Sequence, residues 1–146
     1  MNERSVKHNT FVIEKHYKAT PERVYFAWSD PAAKAQWFPK AELFEFRVGG
    51  REFNRGGPTN GPIYTFDACY QEIVPNSRIV YTYTMDQGDI RISVSITTVE
   101  IKQSGSGTHL IYTEQGAFLD GYDTPEQRKH GTNLMLEALG KRLEEE

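Results

Sequence analysis

Residues 124–143 read Thr124-Pro125-Glu126-Gln127-Arg128-Lys129-His130-Gly131-Thr132-Asn133-Leu134-Met135-Leu136-Glu137-Ala138-Leu139-Gly140-Lys141-Arg142-Leu143, and the fold turns on how this stretch is read. Thr124 and Gln127 have the spacing of a capping box, Pro125 suits a first helical position that needs no amide donor, and Glu126 suits the positive end. One helix of roughly twenty residues is predicted from here to the end of the chain. Gly131, Leu134, Met135, Ala138, Leu139 and Leu143 gather on a broad apolar face, while Arg128, Lys129, Lys141 and the terminal glutamates fall mostly elsewhere. Such a face has to be buried, and the rest of the chain decides against what.

Upstream the hydrophobic period is two. Phe44, Phe46 and Val48 alternate with Glu45 and Arg47, Gly49-Gly50 makes a turn, and Arg51-Glu52-Phe53 begins the return strand. After a Gly-, Pro- and Asn-rich loop over 54–62, Tyr64, Phe66, Ala68 and Tyr70 define one face of a long strand. Pro75-Asn76-Ser77 turns the chain into Ile79, Tyr81, Tyr83 and Met85. Ile90, Ile92, Val94 and Ile96 then alternate until Val99 and Ile101 appear on the opposite parity, which predicts a bulge near Thr97-Thr98. In the last strand Leu110, Tyr112 and Glu114 share a face. Nearer the start, Thr10 to Lys18 reads as the first strand. Thr20-Pro21-Glu22 and Asp30-Pro31 announce two short helices, the first burying Val24, Ala27 and Trp28, the second running to Trp37-Phe38 before Pro39. The expected architecture is α+β in one domain, residues 1–146: a curved antiparallel sheet of about seven strands wrapped around the C-terminal helix, with two short helices after strand one.

Composition narrows the function classes. Hydrophobic residues make up 38%, aromatics 12% and charged residues 25%, enough for a substantial core. The formal charge is −3 with Lys and Arg scattered among acids, so nucleic acid is not expected as a partner. Cys69 stands alone, the N-terminus leads into no apolar run of signal-peptide form, and no stretch approaches the ~20 apolar residues of a membrane span; a cytoplasmic protein is expected. His8, His16, His109 and His130 lack zinc-site spacing, so no metal is expected. Asn54-Arg55-Gly56-Gly57-Pro58 lacks the Gly-Lys-Ser/Thr of a phosphate loop, and no cofactor is expected.

Particular residues add to the pattern: Ala19-Thr20-Pro21-Glu22-Arg23-Val24-Tyr25, Asp30-Pro31 to Gln36-Trp37-Phe38-Pro39, Phe46-Arg47-Val48-Gly49-Gly50, Tyr70-Gln71-Glu72-Ile73-Val74-Pro75 with Arg78-Ile79-Val80-Tyr81, and His130-Gly131. In this order, over nearly the whole chain, they resemble the SRPBCC superfamily, the START or Bet v 1-like helix-grip fold. More narrowly they are similar to the branch named for the activator of heat-shock protein 90 ATPase homologue and its polyketide-cyclase-like relatives. The resemblance implies the fold first; it also implies binders of apolar ligands, cyclases, hydrolases or chaperone partners as functional classes. The sequence departs from the commoner pattern at Glu114 and at Asn133-Leu134, both near the expected cavity.

A sheet held off a helix leaves space between them. Residues expected to line it are Trp37, Phe46, Phe66, Tyr70, Tyr81, Tyr83, Tyr112, Glu114, His130 and Leu134, although an apolar stripe of this kind also makes an ordinary core. Several buried hydroxyls need partners, which favours a polar network, water or a ligand inside. Glu114 aims a carboxylate inward, where burial raises a carboxyl pKa, and with His130 it forms the candidate acid/base pair; ion pairing at the strand end is the structural alternative. Three functions follow: binding of a small, largely apolar ligand (lipid-like, polyketide or aromatic); a cyclase- or hydrolase-like enzyme using Glu114 and His130; or association with a chaperone, for which 146 residues leave no second docking module.

Overall fold

The computed structural model describes residues 3–145. The elements follow in the order β1 (Val6–Tyr17), α1 (Pro21–Ser29), α2 (Pro31–Lys34), β2 (Leu43–Phe44), β3 (Arg51–Gly56), β4 (Tyr64–Val74), β5 (Arg78–Gln87), β6 (Ile90–Ser104), β7 (Gly107–Leu119) and α3 (Pro125–Glu144). All seven strands form one antiparallel sheet in the order β1-β7-β6-β5-β4-β3-β2. The α+β helix-grip architecture expected from the sequence is the one observed. Among the described residues no helix is long and apolar enough to cross a membrane.

The caps read from the sequence are made. Thr20 accepts from the Arg23 amide, Asp30 from Ala33 and Thr124 from Gln127, satisfying amides that each helix start leaves open. Val24, Ala27 and Trp28 of α1 are buried together with Phe66, Tyr81, Leu110, Leu136, Leu139 and Leu143 in one core between sheet and helices. Tyr17 ties β1 to α3 by donating its hydroxyl to the Leu136 carbonyl at 2.8 Å.

Four local expectations are corrected. The helix α2 ends at Lys34, and the chain reaches Trp37 and Phe38 through turns in which their amides bond the Lys34 carbonyl. The predicted strand through Phe46 and Val48 shrinks to Leu43–Phe44, because Arg47 and Gly50 donate to the Glu45 and Arg47 carbonyls and close a turn there. Gly50 is required in that turn, since a Cβ would stand 2.1 Å from the Glu45 carbonyl oxygen. The bulge of β6 lies at Ile92, between the pairs Met85 with Ser93 and Asp86 with Arg91, and not at Thr97-Thr98. Ser93, Ser95, Thr97, Val99 and Ile101 therefore face inward, and Val94 and Ile96 face outward with 44% and 45% exposure. Finally, α3 buries Thr132, Leu136, Leu139 and Leu143. Its inner face is rotated from the predicted one, leaving Gly131 and Leu134 exposed and drawing Arg128 inside.

Candidate functional site

Between the sheet and α3 a cavity of about 100 Å³ remains. Phe66 of β4, Tyr81, Tyr83 and Met85 of β5 and Tyr112 of β7 form its sheet side. Arg128, Thr132 and Met135 of α3 cover it, Phe38 and Pro39 lie at one side, and Asn54 of β3 closes another. The volume is below the ~300–1,000 Å³ usual for drug-sized ligands and of the order of a cavity that admits benzene.

Behind the tyrosines lies a buried charge network. Glu114 has no exposed surface, and its Oε2 accepts from Tyr83 Oη at 2.7 Å, Ser95 Oγ at 2.9 Å and Arg128 Nη1 at 3.3 Å. Tyr112 Oη reaches Oε1 at 3.2 Å. Arg128 also donates through Nη1 to Tyr83 Oη at 2.7 Å, and through Nη2 to Ser93 Oγ at 2.8 Å and Asp123 Oδ2 at 2.9 Å. Carboxylate, guanidinium and hydroxyls thus satisfy one another, as a buried charge requires. Burial, reinforced by the Glu114 charge, pushes the Tyr83 phenol well above its ordinary range, and burial does the same at Tyr112. Both therefore stay protonated and serve as donors.

A second network adjoins the first. Lys34 Nζ donates to Glu52 Oε1 at 2.7 Å, and Tyr70 Oη donates to the same oxygen. The ammonium stands 4.4 Å from the Phe38 ring centroid and 5.3 Å from that of Trp28, inside an aromatic cage. Burial lowers the Lys34 pKa, opposed by the neighbouring Glu52 carboxylate. Tyr81 sits between the networks; burial raises its pKa, and the charges of Glu114 and Glu52 both add to the rise.

Among the described residues, Trp28 Nε1, Glu52 Oε2 and Asn54 Nδ2 are buried polar atoms without a protein partner, and the buried Thr97 hydroxyl has only the Tyr81 phenol beside it. Of these residues Asn54 lines the cavity.

The structure brings Phe66, Tyr81, Tyr83 and Tyr112 together around the cavity, with Glu114 held behind them. It places other predicted residues elsewhere. Trp37 donates to the Ala27 carbonyl and lines a surface cleft between the helices. Phe46 packs against Tyr25 and Tyr70 at the sheet end, and Tyr70 is committed to Glu52. His130 and Leu134 are exposed, Leu134 by 54%, because α3 turns the Arg128–Thr132–Leu136 line inward; the Glu114 and His130 pairing is thereby ruled out. Sequence reasoning missed Arg128, Asn54 and the Lys34–Glu52 pair. Glu114 was the available signal for Arg128, since an inward carboxylate demands a cation.

Residues 18–144 match the family model described as Activator of Hsp90 ATPase homolog 1-like protein. Among solved structures, the chain is similar to the Mll3558 protein of Rhizobium loti, with 48% identity over 95% of this chain and 99% of that one and a TM-score of 0.90. It is similar also to an uncharacterized protein of Rhizobium leguminosarum, with 45% identity over 99% of each chain and a TM-score of 0.92. DynU16, a protein of the dynemicin biosynthetic locus, shares the fold at 18% identity over 92% of this chain and 47% of that one, with a TM-score of 0.70. No curated protein matches the chain.

Proposed function

We propose that this chain, which belongs to the Activator of Hsp90 ATPase homolog 1-like family of the SRPBCC superfamily, binds a small, compact, largely apolar ligand between its sheet and α3. The observation that carries this reading is the cavity of about 100 Å³ walled by Phe66, Tyr81, Tyr83, Tyr112 and Met135. Its size favours a single ring over a lipid-like chain or an extended polyketide, because buried apolar area is gained only where the ligand fits. The reading rests on this cavity and not on the family's label.

An acid/base enzyme built on Glu114 and His130 is not proposed, since His130 is exposed and the Glu114 oxygens are held by Tyr83, Ser95, Tyr112 and Arg128. The test is a thermal-shift screen of single-ring compounds against fatty acids. A ligand at 100 times its Kd adds about 2.7 kcal/mol of stability, a shift of several degrees. Met135→Trp, which fills the space from α3, removes the response while the protein stays folded. Absence of any response to single-ring compounds sinks the reading.

A further inference from the structure

The hydroxyls around the cavity spend their protons on the protein. Tyr83 and Tyr112 donate to Glu114, and Thr132 donates to the Arg128 carbonyl. Tyr81 also lines the cavity, and its hydroxyl lies beside those of Tyr112 and Thr97. Since the Tyr112 proton is held by the carboxylate, the Tyr112 oxygen is left to accept, and the Tyr81 proton turns towards it. The order Tyr81 to Tyr112 to Glu114 thus points each phenolic proton at the buried charge and leaves lone pairs towards the open space. Other groups of the wall supply few donors. The Asn54 amide nitrogen is fully buried, Pro39 has no amide hydrogen, and the Phe38 amide bonds the Lys34 carbonyl. Arg128 directs its Nη1 and Nη2 hydrogens to Tyr83, Glu114, Ser93 and Asp123.

We infer that the Tyr81 hydroxyl oxygen is the anchoring acceptor of this cavity, and that the ligand is an uncharged single ring donating one hydrogen bond to it through a ring N–H or a hydroxyl. Tyr81 is singled out among the phenols because the Tyr83 oxygen already takes an Arg128 N–H and the Tyr112 oxygen takes the Tyr81 proton. A ligand carboxylate has only lone pairs to offer and would meet lone pairs. A protonated amine would give up its water for a wall that already holds the Arg128 guanidinium. The inference rests on the binding function proposed above and adds the chemical class of the ligand.

Pyrrole and furan test it, being flat rings of nearly the same shape that differ in carrying an N–H donor or an ether oxygen. Titrations of the wild-type protein, followed by NMR shifts of the cavity aromatics, are expected to show pyrrole bound about tenfold more tightly than furan, equivalent to about 1.4 kcal/mol. Tyr81→Phe keeps the ring and removes the oxygen, so it should abolish the preference while furan still binds. Equal affinities in the wild type would overturn the acceptor assignment and leave the cavity function standing. Tighter binding of furan would overturn it too, and would assign the contact to the Arg128 Nε–H, which takes no part in the bonds from Nη1 and Nη2. A preference for pyrrole that survives in Tyr81→Phe would overturn Tyr81 as the anchor. Failure of both rings to bind would overturn the cavity function and the anchor with it.

Discussion

Glu114 has no exposed surface and takes hydrogen bonds from Tyr83, Tyr112 and Ser95, but hydroxyls do not neutralise a carboxylate; Arg128 does, reaching it from the first turns of α3 while also pairing with Asp123. Replacing that guanidinium with an apolar chain of similar length leaves a buried charge behind. Arg128→Met is therefore expected to destabilise by about 3–5 kcal/mol, and the double variant with Glu114→Gln to recover much of the loss, because the unpaired ion is gone. Urea denaturation curves check both. A single-variant loss below about 1 kcal/mol would mean that Arg128 does not balance Glu114. The sequence showed half of this pair. Leu110, Tyr112 and Glu114 alternate cleanly, so the acid's direction was legible, whereas Arg128 sits among Lys129 and His130 where a solvated flank is the natural reading. Lys34 escaped for the same reason: a lysine after Ala32-Ala33 reads as the polar side of a short helix, yet its ammonium is enclosed by Trp28, Phe38 and Phe44.

The elements differ in how openly they declare their inner face. In β4, β5 and β7 apolar residues alternate against polar ones, and Phe66, Ala68, Tyr70, Ile79, Tyr81, Tyr83, Leu110 and Tyr112 are buried as the alternation predicts. In β6 the apolar parity from Ile90 to Ile96 points the wrong way after the bulge, because the interior there needs Ser93 and Ser95 as partners for Arg128 and Glu114. Polar demand from a network set by distant residues overrides local hydrophobic pattern, and no window of the strand reveals it. The same holds for α3, where Leu134 and Leu136 compete and packing selects Leu136. Three substitutions separate the two registers. Ile96→Thr should change stability by less than about 0.5 kcal/mol, as expected at a half-exposed outer position. Val99→Thr should cost about 1–3 kcal/mol by burying a hydroxyl where the side chain has no exposed surface. Thr97→Val should cost no more than about 1 kcal/mol, since the buried hydroxyl it removes gives up only its contact with the Tyr81 phenol. Equal costs at residues 96 and 99 in denaturant titrations would contradict the register.

At the scale of the whole molecule, five tyrosines (Tyr17, Tyr70, Tyr81, Tyr83 and Tyr112) are buried in one core that also encloses two ion-pair networks, and this composition predicts how the fold fails in alkali. Burial is the leading cause of a raised pKa at each of them, and nearby carboxylates add to it: Glu137 at Tyr17, Glu52 at Tyr70, Glu114 at Tyr83. In the unfolded chain these phenols lose their protons near the ordinary value of 10.0, while in the folded protein they keep them. Above that pH the folded state binds more protons than the unfolded one, so stability falls as pH rises. Lys34 acts in the opposite sense: its folded pKa is lowered, so its contribution improves with pH up to its ordinary 10.5 and is level beyond. Above 10.5 the tyrosines act alone. Each can remove about 1.36 kcal/mol per pH unit, and five acting together remove up to about 7 kcal/mol, comparable with the ~5–15 kcal/mol that holds a typical domain. The protein should therefore unfold cooperatively within one or two pH units above 10.5, with tyrosinate absorbance and loss of far-ultraviolet circular dichroism rising on one curve. Tyr81→Phe should reduce the slope of stability against pH by about one proton in that window. Gradual ionisation of all tyrosines near pH 10 with the folded spectrum intact would show that the phenols are not held in a desolvated interior, and the networks built on their protons would fall with that finding.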